Sequence, residues 1–189
     1  IDFSQKLIIA TSSIRRKCQW LNKYPNHKIE ILRGNVDTRL KKLKTNNWDG
    51  AIFAQAGLER LELNIKELLL LEWMIPSAAQ GTIALATREK DDTLKKILEK
   101  INCNDTMHCV TQERMFLKLM GGGCSMPISA HAYFKMGNLI LKTNICSIDY
   151  KKSISDISKY RKNDKDAGLK SYNNIFEKGA DKILKSNLI

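Results

Sequence analysis

Hydroxyl and guanidinium side chains follow the first apolar run of the chain, in the order Thr11-Ser12-Ser13-Ile14-Arg15-Arg16. Backbone N–H groups at a helix start have no intrahelical partner and bind anions, and hydroxyl groups add further donors. Arg15 and Arg16 would lie in the first helical turn, where cations oppose the helix dipole. A bound carboxylate or phosphate would compensate them through paired hydrogen bonds. An ordinary serine cap followed by two solvated arginines remains an alternative.

A second pair of arginines flanks a Gly-Asn turn. Arg33 is expected to end a strand, and Arg39 to lie one or two turns into the next helix. Ligands of open α/β sheets bind at the carboxyl ends of the strands. We therefore expect Arg15, Arg16 and Arg33 to share one edge, with Arg39 close behind, an arrangement suited to a ligand with several carboxylates. A basic, solvated helix face explains the second pair about equally well.

Cys124 follows three consecutive glycines and precedes Ser125-Met126-Pro127. Glycine permits unusual dihedral angles, so this thiol is expected on an exposed loop between domains, although a cysteine in such a place is more often inert. The other four cysteines are expected to fill small spaces in the core, and they are Cys18, Cys103, Cys109 and Cys146. The cysteines lack CxxC spacing and the three histidines are scattered, so no metal site is expected.

The elements that position these residues follow from apolar periodicity. Residues 6–10, 28–32 and 50–54 are predicted strands, and residues 14–24, 36–44 and 55–61 are predicted helices. Strands that alternate with helices favour a mostly parallel sheet covered on both faces.

The rest of the chain does not continue the regular alternation of strands and helices. Its predicted strands are 82–87, 128–135 and 139–147, and its predicted helices are 91–101, a segment from Asp105 or Thr106 to about Met120, and 168–188. Met136-Gly137-Asn138 is a hairpin signal between the last two strands. The polar segment 148–166 is expected to be an irregular loop. These features predict a small α+β unit with an antiparallel sheet.

The charge favours anionic partners, because 32 Lys and Arg outnumber 20 Asp and Glu and give a net charge of +12. A nucleic-acid-binding module is one alternative, but the tryptophans are not interleaved with basic residues, and no nucleic acid is expected as a partner. A non-catalytic ligand-binding protein of periplasmic type is another. No apolar run approaches the roughly 20 residues of a membrane helix, so no membrane partner is expected. The start at Ile1, without Met or a signal segment, suggests a chain that begins inside a larger protein.

Six stretches occur together in the order found in porphobilinogen deaminases, and the chain resembles that family from Lys6 to about His131. The stretches are residues 10–16, 32–40, 54–58, 79–81, 113–114 and 122–127. Beyond Asp149 the resemblance is loose.

The resemblance implies an enzyme, a transferase also called hydroxymethylbilane synthase, that polymerises four porphobilinogen molecules into hydroxymethylbilane with release of ammonia. It implies a dipyrromethane cofactor attached to Cys124 through a thioether. The other positions that match the family's cofactor-binding residues are Thr11, Ser13, Arg15, Arg16, Arg33, Arg39, Gln80 and Gly81. The catalytic aspartate is expected upstream of Ile1, so no catalytic residue is assigned in this chain, and the chain alone is expected to be inactive. The implied partners are porphobilinogen, the growing polypyrrole and the missing N-terminal domain.

The implied fold is an α/β periplasmic-binding-protein-like domain followed by a small α+β C-terminal domain with an antiparallel sheet. Residues 1–82 would form the middle, substrate- and cofactor-binding domain, residues 83–104 would return to the N-terminal domain, and residues 105–189 would form the domain that carries the cofactor cysteine. Free thiols indicate a reducing compartment. A monomer in the cytoplasm or a plastid-like organelle, and not a secreted protein, is expected.

Overall fold

A three-stranded parallel sheet organises the first third of the computed structural model, which describes residues 2–63, 65, 67–122 and 126–187. Strands β1 (Ile8–Ala10), β2 (Lys28–Glu30) and β3 (Gly50–Ala51) lie in the order β2-β1-β3. Each strand leads into a helix, and these helices are α1 (Ile14–Lys23), α2 (Val36–Thr45) and α3 (Gln55–Arg60). The predicted alternation is confirmed, with strands shorter than expected.

The core of this α/β unit lies between β1 and α1. Leu7, Ile9 and Ile52 pack against Trp20 and Leu21 of α1. Partly buried aromatic side chains extend this cluster at the end away from the arginines, and they are Phe3, Tyr24 and Trp73. Burying these apolar groups is the main force that holds α1 against the sheet.

An antiparallel sheet organises the second half of the chain. Helix α4 (Asp92–Glu99) has no buried residue and precedes the long helix α5 (Asn104–Leu119). Strands β4 (Ile128–Lys135), β5 (Asn138–Cys146) and β6 (Ser153–Arg161) follow in the order β4-β5-β6. The predicted hairpin is confirmed: Met136 and Gly137 both have positive φ angles, 47° and 71°, as a tight two-residue turn requires.

Helices α5, α6 (Ala167–Glu177) and α7 (Ala180–Asn187) cover this sheet. Phe116 of α5, Ile145 of β5 and Ile175 of α6 are fully buried in one shared cluster. Within the described residues, no helix combines the length and apolar character that crossing a membrane would need.

Two predictions about the polar strands and loops are wrong. Residues 148–166 were expected to be an irregular loop, but they contain β6, which pairs with β5 along its full length. An edge strand with one exposed face carries polar residues at alternate positions, and this hides its apolar signal. Residues 82–87 were expected to form a strand, but no strand is assigned there, and Ile83 is 73% exposed. A strand forms only where a neighbour accepts its hydrogen bonds.

Two further predictions are corrected by local geometry. The single helix expected over residues 168–188 is interrupted at Gly179, whose φ of 94° separates α6 from α7. Cys103 was expected in the core, but it is exposed at the start of α5. The other three cysteines of the described residues are buried as predicted, and they are Cys18, Cys109 and Cys146.

Candidate functional site

A polar cavity of about 310 Å³ opens where β1 runs into α1. Its lining consists of three hydroxyl residues, three arginines and two aliphatic residues, namely Thr11, Ser12, Ser13, Arg15, Arg16, Arg39, Leu32 and Ile52. The cavity therefore lies at the carboxyl end of the parallel strands, where open α/β sheets bind ligands.

The hydroxyl residues shape the entry into α1. The Thr11 backbone N–H donates to the Glu30 carbonyl at 2.9 Å, which continues the pairing of β1 with β2 by one residue. Ser13 caps the helix, because its Oγ accepts from the Arg16 backbone N–H at 3.4 Å. Ser12 Oγ donates to the Leu32 carbonyl at 2.8 Å and so ties the turn to the segment after β2.

Arg15 and Arg16 are half-buried and bonded to neutral oxygens. Arg15 donates to the Ile75 carbonyl at 3.2 Å and to Gln80 Oε1 at 2.8 Å. Arg16 donates to the Ile52 carbonyl at 2.8 Å. Burial and the neighbouring Arg16 lower the pKa of Arg15 to about 10, and burial together with Arg39 lowers the pKa of Arg16. Both groups stay charged at neutral pH, so their charge remains available to a ligand.

Arg39 reaches the cavity from α2. Its Nε donates to the Gly34 carbonyl at 2.7 Å, which folds the side chain back over the turn before the helix. Gly34 has a φ of 120°, and a Cβ there would lie 2.8 Å from the Thr38 methyl carbon. Asn35 caps α2 by accepting from the Thr38 backbone N–H at 2.9 Å. Glycine is therefore required at the turn that carries Arg39.

The cavity gathers positive charge without an acidic neighbour. No Asp or Glu lines it, and within the described parts of the chain none of the three lining arginines forms an ion pair. Asp49 lies elsewhere, where its Oδ2 accepts from the Ile8 backbone N–H at 2.7 Å. Three guanidinium groups and three hydroxyl groups converging on one space can bind a ligand with several carboxylates.

The structure does not bring all of the residues predicted from the sequence into the cavity lining. Arg33 is exposed and does not line the cavity, and its carbonyl accepts from Lys42 Nζ at 3.1 Å. Gln80 contacts the site only through Arg15, and Gly81 is exposed with a φ of 85°. Cys124 lies outside the described residues. Before it, Gly122 sits where a Cβ would be 2.6 Å from the Leu117 Cδ1.

Several residues that build the site were not among the predicted site residues. Leu32 and Ile52 line the cavity from the segments after β2 and β3, and an apolar residue at the end of a strand gives no signal of its own. Ser12 lies inside the predicted motif. Gln19 and Glu113 are buried polar residues that bond the segment 75–79 next to Arg15. Nothing in the periodicity of their helices distinguishes Gln19 or Glu113 from surface residues.

Among the described residues, no group of three or more His, Cys, Asp or Glu side chains could hold a metal ion.

Comparison with known proteins identifies two family models that match most of the chain. The model described as porphobilinogen deaminase, dipyromethane cofactor binding domain, matches residues 2–96, and the model described as porphobilinogen deaminase, C-terminal domain, matches residues 107–175. The second match extends beyond Asp149, further than the motifs in the sequence indicated.

Curated relatives named porphobilinogen deaminase show the same similarity. The protein of Limosilactobacillus reuteri is 38% identical over 149 residues, which cover 77% of this chain and 49% of the relative. That of Staphylococcus epidermidis is 40% identical over 147 residues, covering 76% and 48% respectively. That of Thiobacillus denitrificans is 36% identical over 186 residues, covering 97% and 61%. The chain thus spans about half the length of the first two relatives.

Proposed function

This chain belongs to the porphobilinogen deaminase family, and on that premise we propose that it forms the cofactor- and carboxylate-binding part of a hydroxymethylbilane synthase. That transferase joins four porphobilinogen molecules into the linear tetrapyrrole hydroxymethylbilane. Each addition forms one carbon–carbon bond and breaks the carbon–nitrogen bond of an aminomethyl group, which leaves as ammonia. The product is a precursor in porphyrin and haem biosynthesis.

One observation carries the proposal: three arginines converge on a cavity that none of the described acidic residues lines. Porphobilinogen is a pyrrole with one acetate and one propionate, and each unit added to the chain brings two more carboxylates. Arg15 and Arg16 would bind these groups through their free N–H donors, and Arg39 would close the cavity from the opposite helix. The aliphatic Leu32 and Ile52 supply an apolar wall that suits a pyrrole ring.

The residues present also fit the family's dipyrromethane cofactor, which carries four carboxylates on two pyrrole rings. The hydroxyl and guanidinium groups of the cavity provide donors for such a ligand, and no carboxylate among the described residues that line the cavity competes for them. Attached to Cys124 through a thioether, the cofactor would supply the primer to which pyrrole units are added. Fixing the primer and the incoming substrate in one cavity raises their effective concentration, which is a large part of catalysis in such a reaction.

Arg33 and Gly81 lie outside the cavity, and we assign them contacts with parts of the ligand that extend beyond it. Arg33 lies exposed beyond β2, where it would meet carboxylates of a longer polypyrrole. Gly81 has open space where a Cβ would stand, so a ligand can approach its backbone closely.

We assign residues 1–82 to a periplasmic-binding-protein-like domain and residues 105–189 to the cofactor-attachment domain. Residues 83–104 would pack on a further domain outside this chain, and that domain would supply the catalytic aspartate. The enzyme would act as a monomer in the cytoplasm or a plastid-like organelle. The small parallel sheet, the separate antiparallel sheet and the exposed segment between them support this assignment.

The decisive experiment is mass spectrometry of the full-length protein that contains this chain, with mapping of the tryptic peptide around Cys124. A mass increase that equals a dipyrromethane should appear on that peptide and be absent from a Cys124→Ser variant. Cys103→Ser is the matched control and should keep the modified peptide. An unmodified Cys124 in folded, active protein would contradict the proposal and favour a non-catalytic ligand-binding protein.

A further inference from the structure

A buried carboxylate connects the unit built on the antiparallel sheet to the segment beside the cavity. Glu113 of α5 is only 5% exposed, and its two oxygens accept from two backbone N–H groups. Oε2 accepts from Ala79 at 2.6 Å, and Oε1 accepts from Ala132 of β4 at 2.7 Å. His131 Nδ1 lies 3.6 Å from Oε1. Because both oxygens are used by backbone donors of different segments, Glu113 fixes one segment against the other.

The segment that Glu113 holds has an unfavourable backbone conformation. Ala79 has a φ of 59°, a region that residues with a Cβ seldom adopt. The turn is closed by two backbone bonds, from Gln80 N–H to the Ser77 carbonyl at 3.0 Å and from Thr82 N–H to the Ala79 carbonyl at 3.2 Å. The bond from Ala79 to Glu113 therefore compensates a conformation that the turn alone does not favour.

This turn places the side chain that holds Arg15. Gln80 Oε1 accepts from the Ser77 backbone N–H at 3.2 Å and from Arg15 Nη2 at 2.8 Å. A continuous path of contacts thus runs from Glu113 through Ala79 and Gln80 to the guanidinium group that lines the cavity. Arg16 is held independently, by the Ile52 carbonyl of the α/β unit.

A second buried path ends at the same arginine. Gln19 Nε2 donates to Ser129 Oγ of β4 and to the Ile75 carbonyl, both at 2.9 Å, and the Ile75 N–H donates to Gln19 Oε1 at 2.9 Å. The Ile75 carbonyl also accepts from Arg15. Glu113 lies on α5 and Ser129 on β4, so both paths begin in the unit built on the antiparallel sheet.

We propose that Glu113 is a positioning residue that fixes the guanidinium group of Arg15 in the cavity by holding the turn over residues 77–82. The consequence for ligand binding rests on the proposed function, since only a carboxylate ligand would need Arg15 fixed. The effect on Arg15 itself does not rest on it and can be measured without substrate.

The experiment uses 15N-labelled chain and follows the guanidinium N–H signals of Arg15 and Arg16 by NMR, assigned with Arg15→Lys and Arg16→Lys. Glu113→Gln keeps the volume but leaves one backbone donor facing an amide N–H₂. In Glu113→Gln we expect the Arg15 guanidinium group to rotate faster, so that its separate N–H signals are lost, while the N–H signals of Arg16 persist. Adding Ala79→Gly should restore them, because glycine adopts the positive φ without strain. Glu177→Gln, on the exposed side of α6, is the matched control and should change neither arginine.

The contrary outcomes are equally distinct. Unchanged Arg15 signals in Glu113→Gln would overturn the proposal, and so would joint loss of the Arg15 and Arg16 signals with collapse of the amide spectrum, which would mean a general structural role. Gln80→Ala removes the bond between the exposed Gln80 and Arg15. Intact Arg15 signals in Gln80→Ala would overturn the proposal, whatever the result for Glu113→Gln. In the full-length enzyme, Glu113→Gln should raise the KM for porphobilinogen more than it lowers kcat. Failure of that measurement alone, with Arg15 released as expected, would count against the proposed function and leave the positioning role standing.

Discussion

Arg15 combines a retained charge with a fork of donors, and both matter if its ligand is a carboxylate. Lysine would keep the charge but lose the paired geometry and the bond to Gln80. We expect Arg15→Lys to weaken porphobilinogen binding to the full-length protein by roughly tenfold, a change of about 1.4 kcal/mol. Isothermal titration calorimetry measures this directly. Arg60→Lys, on the exposed end of α3, is the control, and equal losses in the two variants would contradict the assignment.

The thiols of the described residues differ strongly in their surroundings. Two hydrogen bonds from Thr106 lower the pKa of the exposed Cys103, the larger effect coming from the hydroxyl and the smaller from the backbone N–H. Burial raises the pKa of Cys18 to about 12 and that of Cys109 to about 11. Because the thiolate is the reactive form, iodoacetamide at neutral pH should label Cys103 well before the buried thiols Cys18, Cys109 and Cys146.

Peptide mapping after timed alkylation gives the order of labelling. In Cys103→Ser the early label should vanish from that peptide, and the buried cysteines should react only after denaturation. Rapid alkylation of Cys18 or Cys109 in the folded chain would show that their burial is incomplete.

Helices α5 and α6 cross at a position that has no room for a side chain. A Cβ on Gly168 would lie 2.5 Å from the Gln112 carbonyl oxygen and 2.9 Å from the Met115 Cβ. Gly168→Ala should therefore destabilise the chain by roughly 1–3 kcal/mol, the usual cost of overpacking. Gly57→Ala in α3 has nothing within 4 Å of the added carbon and should be stabilising by up to about 1 kcal/mol. Urea unfolding monitored by circular dichroism tests the pair, and similar effects would argue against the tight crossing.

The ion pair between β6 and the end of α6 should make stability depend on pH. Burial raises the pKa of Asp156, but hydrogen bonds from Lys178 and Ser158, both at 2.6 Å, outweigh it and hold the pKa below its usual value. The Asp156 carboxylate therefore contributes fully to stability at pH values above its pKa in the unfolded chain, about 3.9. This contribution is lost as the pH falls through its lower pKa in the folded chain.

Asp156→Asn should consequently destabilise the chain by about 1–3 kcal/mol at pH 7. The difference from the parent should shrink below about pH 4, where the parent carboxylate is itself protonated. Asp105→Asn, which removes an exposed pair with Lys162, should cost at most about 1 kcal/mol at pH 7. Urea unfolding at both pH values gives the comparison, and a difference that persists at low pH would exclude the ion pair as its source.

The elements that local signals specify are the ones the sequence predicts. Helix α1 has a serine cap and an apolar stripe, and the β4–β5 hairpin has alternating residues around a tight turn, so both are confirmed. β6 was missed because its pairing with β5 compensates a weak apolar pattern. The strand expected over residues 82–87 was an error of the opposite kind, since its apolar residues have no partner strand among the described residues.

The residues of the site likewise fall into those that local sequence predicts and those that depend on distant contacts. The Thr11-Ser12-Ser13 turn and Arg15, Arg16 and Arg39 could be predicted because they are close in sequence to strand ends. The roles of Gln19 and Glu113 could not be predicted, although Glu113 lies in one of the stretches that resemble the family, because these roles depend on contacts with Ile75 and Ala79, far away in the chain. Those contacts form only when the segment 75–79 lies against α1 and α5 in the folded chain.

Among the described residues, a set of exposed apolar side chains lies on the segment between the two sheets. Ile83, Leu85, Ile97 and Ile101 are between 54% and 73% exposed. Single exposed apolar residues are ordinary, but these four lie within the one segment 83–101 and include a residue of the amphipathic α4. The relatives are about twice as long as the part that this chain matches, so their remaining half is the expected cover for this surface.

If the rest of the full-length protein buries this apolar surface, a substitution there should affect the stability of the full-length protein more than that of this chain. Ile97→Ala should change the stability of this chain alone by less than about 0.5 kcal/mol, as exposed substitutions do. In the full-length protein the same change should cost about 2 kcal/mol or more, because it would open a cavity in an interface. Ile157→Ala, on the outer face of β6, should be neutral in both. Urea unfolding of the two lengths in parallel decides the matter: if Ile97→Ala is neutral in the full-length protein as well, α4 stays in solvent there. The assignment of residues 83–104 to a further domain would then be wrong, while the arginine-lined cavity, whose lining residues all lie between positions 11 and 52, would be unaffected.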